Sequence, residues 1–579
     1  MTSRELRLTL LLASFFAIFN AVKPAVVDDT AYLLHARHIA EHPLDPYGFK
    51  IFWYTVPNEA MDVLLPPVLP YWLAAGIGIF GEQLVLLKLW MFPFFWLFAR
   101  SVGWLMKRFV PFDGYLGTVG LALSPAVLPM VNVMLDLPAL ALGLAGLTRM
   151  IKATDEAESW RVPNAILAGV LLGLAMQTKY TMLVLPGVYL AYAITRSNGP
   201  SIARGLCLSL LSIAVGVGVF AGWEKFLLHR YGVSHFLHQA KEQAEGTIGE
   251  KLKAKWELAK LQAPALLCQA GPMLVGFACW VLAAWNWTRG LRIASLVARI
   301  ALLGFIALGL AMTMVLKESK AVLIVEADGT TKLDWPTLTF VASGLISLLI
   351  LVTSSIFGLL VLPNRNQLLF LLGWFAIEVA GTLVLSPFPA ARRVMGLSMA
   401  FAVLSMFLVA RLSRHGDKPR PPKWIAAAPI ALGLLIAGID LWDAHPEKIL
   451  ANQARAAIPD VEGETIWFNG HWGFQYYCDR AGMKPVIPED TVLLKGDWLV
   501  FPVIPDDYGF YRPYHGGAKF RIDPDSTKQV AEFVWEDRLS AQTVPNLYGG
   551  APPLRGRNHP RLKVVVYRIT ADWLPERVP

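Results

Sequence analysis

The sequence predicts an α-helical polytopic membrane protein of about 13 transmembrane helices with a C-terminal soluble α/β domain. Three observations predict it. Of the 579 residues, 55% are hydrophobic and only 16% are charged, against about 25% charged in an ordinary soluble domain. Mean hydropathy is +0.48. The apolar residues gather into runs of membrane-spanning character, and these stop near residue 443, beyond which polar residues, Pro and Gly become common. A single soluble domain, a disordered chain and a fibrous repeat are excluded.

The runs place spans near 8–23, 84–106, 112–131, 137–151, 163–178, 181–195, 205–223, 264–286, 293–316, 338–362, 367–387, 392–410 and 424–442. The first run lacks an A-x-A cleavage site before the acids Asp28 and Asp29, so it reads as an uncleaved span. Residues 62–80, interrupted by Pro66, Pro67 and Pro70, read as a broken interfacial helix. With the N-terminus cytoplasmic, each inside loop is then basic, as the positive-inside rule expects. The surplus of 52 Lys and Arg over 43 Asp and Glu, +9 in all, is thereby explained without nucleic acid. One outer loop, 224–262, is rich in lysine and reads as an amphipathic surface helix. The expected division is a membrane module over 1–442, whose first outer loop is 24–83, and an extracytoplasmic α/β domain over 443–579. Within that domain ETIWF (464–468), DWLVFPVI (497–504) and KVVVYRI (563–569) read as strands and 471–481 as a helix. Of Cys207, Cys268, Cys279 and Cys478, only Cys478 lies in the tail, so the tail holds no internal disulfide, and no zinc spacing is present.

Charges that break the loop pattern are the candidate site. Asp28 and Asp29 follow the first span. Paired carboxylates at a lipid boundary suit a general base, while a helix cap for TAYLLHARHIAEH is the plain alternative. Asp136 lies in the apolar VNVMLDLPAL, where a carboxylate is costly and a function is the default; it too could be an N-cap ahead of Pro138. Lys179, in MQTKYTM, could hold a phosphate or snorkel to the interface. Arg392 and Arg393, after SPFPAA, could bind phosphate bidentately or anchor headgroups. Lys88 and Glu378 are weaker candidates. His235, His238 and Glu242 share a helical face, compatible with a metal site but also with an unliganded surface. The aromatics of NGHWGFQYY (469–477) could stack on a sugar or form a domain core.

Taken in order, these motifs resemble the GT-C membrane glycosyltransferases, above all glycosyltransferase family 39 and its bacterial relatives, the protein O-mannosyltransferases and lipid A aminoarabinose transferases. The resemblance covers about 1–410 and rests on VVDDTAYLLHARHIAEH, LLPPVLPYWLAAGIGIFG, MLDLPAL, AGVLLGLAMQTKYTMLVLP and FPAARRVMGLSMA. It implies a sugar on a polyprenyl phosphate, transferred with inversion to a protein, lipid or glycan acceptor outside the cytoplasm. It implies Asp28, with Asp29 beside it, as the catalytic acid pair, Asp136 as a donor- or acceptor-holding residue, and Lys179, Arg392 and Arg393 as ligands of the donor phosphate. No metal and no cofactor is implied. Leu65 stands where the aminoarabinose transferases have lysine, so the resemblance does not carry over their sugar specificity. The expected location is a bacterial inner membrane, with membrane lipids as surroundings and the C-terminal domain periplasmic. The alternatives are a glycolipid transporter or flippase, which would favour inverted repeats, and a lipid-linked oligosaccharide ligase or polymerase.

Overall fold

The computed structural model describes residues 2–110, 114–155, 160–196, 199–242, 335–362, 365–386, 390–412, 427–505 and, with short gaps, 511–577; between 243 and 334 it describes only 266–267, 281, 303–304, 323–325 and 331–333. The expected spans 264–286 and 293–316 and most of the loop 224–262 thus lie outside the described residues.

Among the described residues, seven helices are long and apolar enough to cross a membrane: Ser3–Val22, Leu84–Phe109, Gly199–Tyr231, Leu338–Val361, Asn366–Leu385, Ala391–Arg411 and Ala427–Ala456. The chain is a multi-pass membrane protein. Three shorter apolar helices, Val68–Phe80, Arg161–Met176 and Tyr180–Ile194, accompany them. Val68–Phe80 has 13 residues, roughly 20 Å at 1.5 Å per residue, against a hydrocarbon core of about 30 Å. Gly81, at φ +65°, ends it.

Local chemistry sets the boundaries near the site. Ser3–Val22 starts with a reciprocal capping box: the Glu5 amide donates to the Thr2 hydroxyl (3.3 Å) and the Thr2 amide to the Glu5 carboxylate (2.7 Å). It stops at Lys23, ahead of Pro24, as the residue before proline avoids helical geometry. Among the described residues the expected span 112–131 is α-helical only over Gly114–Ala122; after it the chain, carrying Pro125 and Pro129, runs through a 3-10 turn at Leu128–Met130 and, but for a half-buried Leu123, is buried up to the helix Asp136–Thr154. Proline removes amide donors that a continuing helix would need. Irregular backbone at this depth is tolerable because protein surrounds it.

The C-terminal region holds a six-stranded sheet. Its order is Lys484–Pro485, Ile466–Phe468, Trp498–Pro505, Lys563–Ile569, Thr527–Val534, with Tyr511–Pro513 pairing the end of Trp498–Pro505. The first three strands run parallel, joined through the helix Trp472–Arg480; the partners of Lys563–Ile569 are antiparallel to it. Three strands and this helix fall where the residue pattern expects them. Thr527–Val534 was not expected: it is half-buried at best along its whole length, so no buried face marks it. The helix Trp472–Arg480 packs on Asp29–Glu41, the Thr30 hydroxyl donating to the Trp472 carbonyl at 2.7 Å.

Candidate active site

Four chain segments meet at one end of the helical part: the turn 24–28 after the first span, the irregular segment 131–136, the turn 177–180 after Arg161–Met176, and the short 3-10 turn Ala391–Val394. Each carries one of the charges that break the sequence pattern.

Asp28 holds the N-cap position of Asp29–Glu41 but makes no capping bond. Its carboxylate instead accepts from the Arg392 guanidinium at 2.7 Å. Asp136 likewise opens its helix without capping it. Its carboxylate is paired with the Lys179 ammonium, and a second nitrogen of Arg392 lies 4.0 Å from it. Arg392 therefore stands between two acids, with its third neighbour the Met134 sulfur at 3.2 Å from Nη1. The capping alternative fails for both aspartates for one reason: their side chains have stronger, charge-assisted partners. Asp28 keeps 20% of its side-chain area exposed, while Arg392 and Asp136 keep 8% and 7%, so Asp28 is the member of the cluster most open to an arriving molecule. Arg393 follows in the same turn, and its charge acts on Tyr32 together with those of Asp28, Asp136 and Arg392.

Asp29 points elsewhere. Its carboxylate is fully buried and accepts from the Val26 amide (3.2 Å) and the Val133 amide (3.1 Å), with the Lys88 ammonium 3.8 Å away. Lys88 in turn donates to the carbonyls of Lys23 (2.6 Å) and Pro24 (3.0 Å). Burial pushes the Asp29 carboxyl up against the opposing pull of Lys88 and Lys23. The turn is tight: Val27 has φ +45°, a left-handed value costly for a β-branched residue. Adjacent aspartates thus face opposite ways, one toward the cluster and one into the packing beneath it.

Glu378, His235 and His238 have partners of their own. Glu378 accepts from the Trp374 indole at 3.2 Å. Both ring nitrogens of His235 are engaged, Nδ1 with the Tyr180 hydroxyl (2.6 Å) and Nε2 with the Leu64 carbonyl (2.9 Å), and His238 meets Asp62 at 2.7 Å. Among the described residues no group of three or more His, Cys, Asp or Glu stands in metal-binding proximity.

Tyr32, Tyr54 and His471, the last within the aromatic run 469–477 that the sequence marks as a sugar-stacking candidate, complete the surroundings. Tyr32, one turn after Asp28, is 4% exposed; burial, with Asp28 adding to it, holds its hydroxyl well above the ordinary range. Tyr54, at the turn of the hairpin Lys50–Trp53 and Val56–Glu59, is also within reach of the Asp28 and Arg392 charges. From the C-terminal region comes His471, whose ring feels the Asp28 charge. The helical spacing from Asp28 could have flagged Tyr32; nothing local could have brought His471 within reach of a charge 443 positions away.

No family model and no curated protein sequence matches the chain. It is similar to a solved structure of archaeal oligosaccharyltransferase AglB from Archaeoglobus fulgidus in complex with an inhibitory peptide and a dolichol-phosphate (14% identity, TM-score 0.45, 83% of this chain). This chain spans 64% of that enzyme's length. It is also similar to ArnT from Cupriavidus metallidurans bound to undecaprenyl phosphate (14% identity, TM-score 0.40, 86% of this chain and 93% of that one) and to the same protein in the apo state (15%, 0.35, 85% and 91%).

Proposed function

We propose that the chain is an inverting glycosyltransferase that moves a hexosyl or pentosyl group from a polyprenyl-phosphate donor to an acceptor on the outer face of the membrane. The observation that carries this reading is Arg392 held between Asp28 and Asp136, with Lys179 on Asp136. Two carboxylates and two cations from four segments form a base and a phosphate clamp in one place.

Each group has a role. Asp28 takes the proton of the acceptor hydroxyl as its oxygen bonds to the anomeric carbon. The bond from that carbon to the phosphate oxygen breaks, and the electron pair leaves with the polyprenyl phosphate. Arg392, Arg393 and Lys179 offset the charge that develops there, in a low-dielectric surround where such contacts act strongly. Asp136 orients Lys179 and Arg392. Attack opposite the leaving phosphate inverts the anomeric centre. Asp29 supports the turn that aims Asp28 and touches no reactant. The N-terminus lies in the cytoplasm and the C-terminal region on the outer side, beside the site.

The test is transfer of labelled sugar from polyprenyl-phosphate-sugars in membranes that contain the protein. Asp28→Asn is expected to lower transfer by about 100-fold or more, the usual worth of a general base. Undiminished transfer in that variant removes Asp28 from the role.

A further inference from the structure

The helix Trp472–Arg480 is clamped at three points, against the chain on both sides of Asp28 and against the hairpin strand Lys50–Trp53. The Thr30 hydroxyl donates to the Trp472 carbonyl (2.7 Å), the Ala25 amide to the Tyr477 hydroxyl (2.8 Å), and the Gln475 amide nitrogen to the Phe52 carbonyl (3.0 Å). Gly473 has no room for a side chain: a Cβ there would lie 2.5 Å from the Ala25 carbonyl oxygen. Trp472 and Tyr54 both adopt left-handed backbone (φ +57° and +64°), a cost that persists only where surroundings enforce it, and such positions cluster at functional sites.

His471 sits at the centre of this clamp and is fully buried. Its ring stands edge-on to Trp53, with centroids 4.2 Å apart and planes at 86°, and 4.4 Å from the Tyr54 ring. Its protonation pattern follows from its neighbours. The Gln475 nitrogen is committed to Phe52, so the Gln475 oxygen is what meets His471 Nδ1 at 3.0 Å. An amide oxygen only accepts, so Nδ1 carries the proton. Nε2 then bears a lone pair, and it is buried with no hydrogen-bond partner among the described residues. Burial keeps the ring neutral, its pKa lowered to about 4 even though the Asp28 charge raises it. A buried acceptor left unpaired in a native fold calls for a reason.

We propose that Trp53, Tyr54 and His471 form the donor-sugar subsite of this transferase, with His471 Nε2 accepting a hydrogen bond from a sugar hydroxyl. This rests on the glycosyl-transfer reading above and extends it to a specificity-determining residue supplied by the C-terminal region. Aromatic walls with one well-placed polar atom are the usual make-up of a small-molecule site. The single acceptor selects a sugar that presents a free hydroxyl at that place, and it leaves recognition of the phosphate to Arg392 and Lys179.

The experiment is binding by the full-length protein in detergent. The probes are undecaprenyl phosphate alone and undecaprenyl phosphate linked to glucose, galactose, mannose or 4-amino-4-deoxyarabinose. Wild type is expected to bind at least one sugar-linked lipid more tightly than undecaprenyl phosphate. His471→Phe keeps a ring against Trp53 and Tyr54 but removes the acceptor; it is expected to weaken that lipid about 5- to 20-fold, with undecaprenyl phosphate changed less than twofold. His471→Gln, which restores an acceptor oxygen, is expected to recover most of the loss. Equal weakening of both ligands in His471→Phe, no weakening, or no preference for any sugar-linked lipid in wild type overturns the subsite. Arg392→Gln separates the two readings: if it leaves undecaprenyl phosphate binding unchanged, the phosphate clamp itself is wrong, whatever His471 does.

Discussion

At the scale of single residues, Asp28 and Asp29 show how neighbouring identical side chains acquire different work. Asp28 meets Arg392 and keeps contact with solvent; Asp29 is sealed among two backbone amides and Lys88. The two substitutions should therefore separate. Asp28→Asn is expected to lose transfer and keep its thermal midpoint. Asp29→Asn leaves Lys88 as a buried charge without its counter-ion, and removal of one partner from such a pair costs about 3 kcal/mol or more. Its midpoint in detergent should fall by several degrees. A normal midpoint in Asp29→Asn would show that Lys88 is satisfied by the Lys23 and Pro24 carbonyls alone. The sequence made the charges legible, because Asp28, Asp136, Lys179 and Arg392 each stand where apolar or oppositely charged residues are expected. It could not tell Asp28 from Asp29, since the difference lies in the direction of two side chains around a turn set by the positive φ of Val27.

Elements are joined by a second buried network that no local pattern announces. The Lys23 ammonium is paired with Asp440 and also donates to the Pro129 carbonyl (2.9 Å) and the Tyr548 hydroxyl (2.6 Å). Thr543 donates to Asp440 at 3.0 Å, and Asp443 accepts the amides of Thr543 (2.9 Å) and Val544 (2.7 Å). The first span, the last span and the chain after the sheet strand Thr527–Val534 are thus tied at one point. Asp440→Ala should destabilise the protein by about 3–5 kcal/mol, because Lys23 remains charged and buried. The double change Lys23→Met with Asp440→Leu should recover most of it, read as the thermal midpoint; a double variant no better than the single one would mean that the pair itself carries the stability. Partners 417 positions apart cannot be matched by eye along a chain, whereas the long spans were legible because lipid demands continuous apolar runs. The expected span 112–131 was the exception, as Pro125 and Pro129 sit in buried chain outside the α-helix Gly114–Ala122.

Two buried histidines, one in the helix Asp29–Glu41 and one from the C-terminal region, set a pH dependence. His35 and His471 are buried neutral, with pKa lowered by desolvation to about 3 and about 4 from 6.5. The unfolded chain gains their protons as pH falls below 6.5, while the folded chain gains them only near the lower values. Stability from this source is therefore full above pH 6.5 and is lost as pH falls toward 4. The thermal midpoint should drop between pH 7 and 4.5, and His471→Phe should make the drop shallower. An unchanged slope would mean that His471 is solvated in the native protein.

For the whole molecule, the helix Trp472–Arg480 and the chain around Asp28 share one side, through the Thr30 and Ala25 contacts. Any orientation that puts the site outside puts the C-terminal region outside as well. A periplasm-active reporter fused after Pro579 should be active, and one active only in the cytoplasm would reverse the orientation. The proposed transfer of sugar from a polyprenyl phosphate by the Asp28–Arg392–Asp136–Lys179 cluster is checked by release of undecaprenyl phosphate from undecaprenyl-phosphate-sugars by the purified protein with an acceptor-containing membrane extract. Wild type should release the lipid phosphate in step with sugar transfer, while Asp28→Asn and Arg392→Gln, each assayed below its own thermal midpoint, should release it at least 100-fold more slowly. Release at the wild-type rate in both folded variants would mean that the cluster does not carry out the transfer.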